Sequence, residues 1–163
     1  MTSLEGEEIM TFLAENGRLS VLSAPEFQSP VRRTGQYTTN TFVAAHLRGE
    51  SVEEAENWDL RPCPFLIDAS CSIYPARPFG CRLFASSDSC AASGAAEMPP
   101  GYLAGATVLL QYIEHLDNNG RWGAMVELLA GLTTGQSERY GEPTAPIPGF
   151  LIAPEERALV EPL

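Results

Sequence analysis

Four cysteines, Cys63, Cys71, Cys81 and Cys90, are the side chains of this sequence best suited to chemistry, and all fall within 28 residues of a 163-residue chain. Seven, nine and eight residues separate successive cysteines. Three chemistries compete for such a cluster: a thiolate metal site, disulfide pairs, or buried free thiols. Disulfides require an oxidising compartment. The opening Met1-Thr2-Ser3-Leu4-Glu5-Gly6-Glu7-Glu8 has neither the basic nor the apolar region of a secretory signal, so a cytoplasmic protein is expected. Free thiols pack as small hydrophobes, whereas Ser70-Cys71-Ser72 and Asp88-Ser89-Cys90 are polar, turn-forming company. A metal site is the favoured expectation, with Cys63, Cys71, Cys81 and Cys90 as ligands. Four thiolates select zinc, or alternatively iron or a 4Fe–4S cluster.

The surrounding residues fit that chemistry. The spacing lacks the tight C-x₂-C knuckle of zinc fingers. Prolines at 62, 64, 75 and 78 instead stiffen the loops between ligands, which lowers the entropy lost when a metal closes the site. Arg61, Arg77 and Arg82 are placed to offset a tetrathiolate's negative charge or to donate to sulfur. Four protein ligands leave no open coordination position, as in structural or electron-transfer sites. No general base, Gly-rich phosphate loop or Ser/His/Asp constellation stands out, so no reaction is assigned.

The strings Cys63-Pro-Phe-Leu, Cys71-Ser-Ile-Tyr74, Arg77-Pro78 and Cys81-Arg82-Leu-Phe resemble the YkgJ-type cysteine-cluster family, described as a zinc- or iron-chelating domain. The second half of that family's motif, CPFL…C-x-IY-x-x-RP-x-x-CR-x-F, is matched at every position between residues 63 and 84. The resemblance implies that Tyr74 and Pro78 fix the loop, and that Arg77 and Arg82 support the metal. Family members also carry an upstream C-x-x-C group and a CC pair, and this sequence has no cysteine before position 63. Either the ligands reduce to the four present, or an N-terminal segment is missing. A related cluster in flagellin lysine-N-methylases implies an iron–sulfur enzyme or enzyme subunit as the alternative function. A degenerate relative acting as an interaction module is a third.

Composition bounds the rest. The hydrophobic share is 44% and the charged share 19%, values of a globular chain. A chain of this length buries roughly 70% of its unfolded surface, so the core is expected to stand without metal. Net charge is −11 and every basic residue is arginine, without a basic patch, which argues against nucleic acid. No apolar run approaches the roughly 18 residues of a spanning helix, which argues against a membrane.

The elements that must position the cysteines read as mainly α with irregular, metal-stapled loops and little β. A first helix spans 3–16, capped by Thr2 and Glu5 and ended by Gly17, with Ile9, Phe12 and Leu13 inward. Leu19, Val21 and Leu22 suggest a short strand, and Thr34-Gly35 a hairpin turn. Thr41 to Arg48 reads as a helix whose His46 is more often structural than a ligand. A capping box at Ser51 and Glu54 starts a helical turn to Trp58 within an acidic run. After a small-residue linker at 91–96, a helix over 101–117 carries a stripe of Tyr102, Ala106, Leu109, Ile113 and Leu116, with His115 off it. Asn118-Asn119-Gly120 turns the chain into a helix over 121–131, completing a C-terminal αα-hairpin that packs on the core or meets a protein partner or second copy. Residues 1–140 form one cysteine-cluster domain, with metal loops at 61–90. Residues 141–163 are a Pro-rich tail with Phe150-Leu151-Ile152 docked back and a helical turn at Pro154.

Overall fold

Thr2 starts the first helix as its pattern predicts. Its hydroxyl accepts from the Glu5 N–H at 3.3 Å, and the Glu5 carboxylate accepts from the Thr2 N–H at 2.8 Å. This reciprocal cap opens α1, Ser3–Glu15. At the other end Gly17, at φ 64°, donates to Ala14 O, and Arg18 donates to Leu13 O. That is the Schellman pattern, which satisfies two carbonyls of the last turn. The computed structural model describes residues 1–28, 37–52, 62–83, 98 and 101–149.

Among the described residues the chain is mainly helical with little sheet. After α1 come a 3-10 turn at Leu19–Ser23, α2 (Pro25–Gln28) and α3 (Thr39–Leu47). Strands β1 (Leu66–Ile67) and β2 (Ser70–Cys71), a 3-10 turn at Tyr74–Ala76 and α4 (Phe79–Arg82) follow. The C-terminal part holds α5 (Tyr102–Leu116), β3 (Arg121–Trp122), α6 (Met125–Thr134), a 3-10 turn at Ser137–Arg139 and β4 (Glu142–Pro143). The segment expected as a short strand at Leu19–Leu22 is therefore helical, because Val21 N–H and Ala24 N–H return to Arg18 O and Val21 O. The expected hairpin turn at Thr34-Gly35, the helical turn to Trp58 beyond Val52, the linker at 91–96, the docking of Phe150-Leu151-Ile152 and the helical turn at Pro154 lie outside the described residues.

One apolar cluster joins α1 to the cysteine stretch. Ile9, Leu13, Leu22, Phe27, Phe65, Ile73, Ala76 and Leu129 are buried together. Phe27 and Phe65 pack with ring centroids 5.5 Å apart at 49°, an arrangement worth about 0.5–1.5 kcal/mol beyond its buried area. Helix α6 packs against α1 and α2. Gly6, a weak helix former, permits the approach: a Cβ there would lie 2.8 Å from Leu132 Cδ1.

The expected αα-hairpin is realised differently. Both helices form, but the principal partner of α5 is α3, while α6 turns to α1 and α2. Arg121 and Trp122 leave the predicted second helix and pair antiparallel with Pro143 and Glu142. Trp122 also bridges to Thr2. The stripe on α5 is met in part: Ala106 is buried and Tyr102 and Ile113 are half-buried, but its two leucines face out. Leu109 and Leu116 are 48% and 54% exposed, while Ala104, Gln111 and Glu114 are buried. The cause is the polar face of α3. Asn40 donates its N–H to Glu114 at 2.9 Å and its side-chain amide to Gln111 O and Ala145 O. Ala145 N–H meets the second Glu114 oxygen at 2.9 Å. Such a buried carboxylate is tolerated because backbone donors satisfy it. His115 is exposed, as its place off the stripe predicts.

Candidate metal centre

Cys71 lies in the second strand of a β-hairpin, and Cys63 lies just ahead of its first strand. Strands β1 and β2 pair Leu66 with Cys71 and Ile67 with Ser70. Asp68 and Ala69, at φ 48° and 59°, make a two-residue turn in which both residues are left-handed. Alanine in that region costs on the order of 1–2 kcal/mol, so the packing below must hold it. Phe65, fully buried, and Ile73, 1% exposed, supply that packing on either side of the hairpin. Ser72 N–H donates to Phe65 O at 2.8 Å, and Leu66 N–H to Cys63 O at 2.9 Å. Cys63 is exposed, whereas Cys71 is half-buried against the core.

Cys81 arrives on α4. Its N–H closes the first turn onto Pro78 O at 3.0 Å, and Pro78 is buried. The 3-10 turn before it packs on α1. The stretch expected as irregular, metal-stapled loops is thus, over residues 62–83, a hairpin, a 3-10 turn and a short helix resting on the apolar core.

Cys63, Cys71 and Cys81 are all free thiols, with no disulfide among them. Burial pushes the Cys81 thiol up, and negative charge on Cys63 and Cys71 pushes it further. The Met1 amino group and Arg77 pull it down. Cys81 therefore feels the charge of both Cys63 and Cys71. Among the described residues no three His, Cys, Asp or Glu side chains are already grouped to enclose a metal ion. Cys90 and Arg61 lie outside the described residues. The donor chemistry fits a thiophilic metal, and so does one orphaned atom: Arg77 Nε is buried without a hydrogen-bond partner among the described residues. A charged donor left over beside thiols is satisfied when those thiols ionise.

The supporting residues divide. Arg77 lies over the Tyr74 ring, its Cζ 4.2 Å from the centroid, and Tyr74 is largely exposed. Arg82 donates to Arg77 O at 3.0 Å and Pro75 O at 2.8 Å, so its guanidinium clamps the 3-10 turn. Two supports escape a reading of the cysteine stretch alone. Arg18 donates to Ser72 O at 2.7 Å, and Glu5 accepts from Phe79 N–H at 2.6 Å. Both come from α1 or its end, more than fifty residues earlier. His46 bonds Phe42 O and stacks on the Phe42 ring at 4.3 Å, a structural role.

The raised Cys81 pKa has a defined pH consequence. The folded state holds that proton more tightly than the unfolded chain, so the contribution is fully present below the unfolded thiol value, near 8.5. It is lost as pH rises through the folded value. Metal-free protein should therefore lose thermal stability as pH rises above about 8.5, and Cys81→Ser should flatten that slope. Thermal melts of the two proteins across this range check it.

Compared with family models, curated proteins and solved structures, the chain matches none. No helix among the described residues is long and apolar enough to cross a membrane.

Proposed function

We propose that this chain is a metal-binding protein in which Cys63, Cys71 and Cys81, joined by Cys90, hold one zinc or iron centre. The observation that carries the reading is the clustering of all four cysteines within 28 residues, three of them free thiols on a stretch that rests on the core. The motif over 63–84 supports it, and Arg77 is the nearby cation suited to offset thiolate charge. Reduced thiols require a reducing compartment, so the cytoplasm is part of the proposal. When bound, the metal would supply a closed, four-sulfur cross-link between the residues ahead of β1, β2, α4 and the segment containing Cys90. The protein's part is to hold the sulfurs and give up their protons as metal binds, which makes uptake pH-dependent.

Zinc and iron–sulfur are separated by anaerobic purification with elemental analysis and an absorption spectrum. A colourless protein with one zinc per chain is the expected result. A brown protein with four irons and a broad band near ~400 nm assigns the iron–sulfur form of the same site. Freshly reduced protein containing neither metal, and taking up neither, contradicts the proposal.

A further inference from the structure

The Glu5 carboxylate is engaged at both oxygens. Oε2 accepts from the Thr2 N–H at 2.8 Å and from the Thr2 hydroxyl at 3.2 Å, inside the α1 capping box. Oε1 accepts from the backbone N–H of Phe79 at 2.6 Å, across 74 residues of sequence. Phe79 is the first residue of α4, and the N-cap of that helix, Pro78, has no side chain able to cap it. A helix of four residues leaves its leading N–H groups without internal partners. A carboxylate there is a charge-assisted restraint, about twice as strong as a neutral hydrogen bond.

The two halves of the cysteine stretch are thus held on α1 by different physics. Apolar burial of Phe65 and Ile73 seats the hairpin that carries Cys71 and follows Cys63, and burial of Ala76 seats the 3-10 turn before α4. That force is non-directional and fixes depth better than orientation. The α4 turn that carries Cys81 buries none of its own residues fully. Its orientation relative to α1 needs a directional contact, and the Glu5–Phe79 hydrogen bond is one.

We propose that Glu5 is the positioning residue of the thiolate site, holding α4, and with it Cys81, in register with the Cys63–Cys71 hairpin. Glu5 acts through Phe79 rather than as a ligand. Its consequence for metal affinity rests on the metal-binding reading above, while its consequence for Cys81 placement does not.

Three variants test this: Glu5→Gln, Glu5→Asp and Thr2→Ala. Thr2→Ala weakens the same α1 cap but leaves the contact to Phe79 in place, so it reports the merely structural cost. Zinc affinity is read by competition with a chromophoric chelator. Both Glu5 variants should bind zinc about 10–100-fold more weakly, the usual cost of losing a residue that orients a ligand, and Thr2→Ala should match the unaltered protein. In metal-free protein, iodoacetamide followed by mass spectrometry should label Cys81 several-fold faster in the Glu5 variants, with Cys63 unchanged. Circular dichroism identifies any variant that has lost its helices. Should Glu5→Gln be one, Glu5→Asp decides, because it keeps the charge at Thr2 and is a methylene short of Phe79. Zinc affinity and Cys81 labelling that are the same in the Glu5 variants as in Thr2→Ala overturn the proposal. Unaltered protein that takes up no metal, with Cys81 still freed in the Glu5 variants, overturns the metal reading and upholds the positioning role.

Discussion

Replacing Cys71 with serine is expected to lower zinc affinity by more than the roughly 100-fold upper cost of removing a supporting residue, while leaving the helical circular-dichroism signal nearly intact. The serine hydroxyl does not ionise where a thiolate does, so the site loses a ligand and a charge together. The helices survive because α1, α3, α5 and α6 lie outside the stretch and pack chiefly on one another and on α2. Cys71 only borders the core cluster, half-buried. Its polar replacement should cost about 1 kcal/mol in the metal-free protein. Chelator competition and far-ultraviolet circular dichroism on one sample check both halves. Unchanged zinc binding would remove Cys71 from the ligand set. Collapse of the helical signal would show that the fold depends on the site.

The largest expected loss of stability comes from a residue that is not a ligand. Phe65→Ala should destabilise the protein by about 3–5 kcal/mol, the range for deleting a buried aromatic. In a chain of this size that lowers Tm by roughly 10 °C. Phe65 is fully buried, packs on Phe27, and accepts the Ser72 N–H that closes the hairpin. Its loss removes the anchor beneath Cys63 and Cys71, so zinc affinity should fall with stability. The neighbouring Leu66→Ala is the internal control, because Leu66 is 52% exposed on the same hairpin. It should change stability by no more than about 0.5 kcal/mol. Thermal melts of both variants, with and without zinc, distinguish an anchored hairpin from one held by metal alone. Equal effects of the two substitutions would contradict the anchoring role.

Local signals in the sequence translated well into structure. Thr2 and Glu5 announce the start of α1, and Gly17 its end, because caps are satisfied within a few residues. The expectation that the clustered cysteines form one site rests on local features too: their type, polar neighbours and interleaved prolines. Residues whose role depends on distant partners could not be read this way. Asp68-Ala69 lacks the glycine that marks a left-handed turn, and burial of Phe65 and Ile73 makes the turn possible. The apolar pattern of α5 pointed Leu109 and Leu116 inward, but the buried side was decided by hydrogen bonds from Asn40 and Ala145 to Glu114. Arg121 and Trp122 continue a helical pattern, yet Glu142 and Pro143 offered them a ladder. Glu5 was visible as a cap, while its second oxygen's bond to Phe79 spans most of the distance between α1 and the cysteines in sequence. Arg82 has the charge expected near a tetrathiolate, but the carbonyls of Arg77 and Pro75 claim it first.

X-ray absorption at the metal edge of the loaded protein tests the central claim most directly. Four sulfur neighbours around one zinc at about 2.3 Å, falling to three in Cys71→Ser, is the predicted result. A shell of oxygen and nitrogen with at most one sulfur would contradict a centre built on Cys63, Cys71, Cys81 and Cys90.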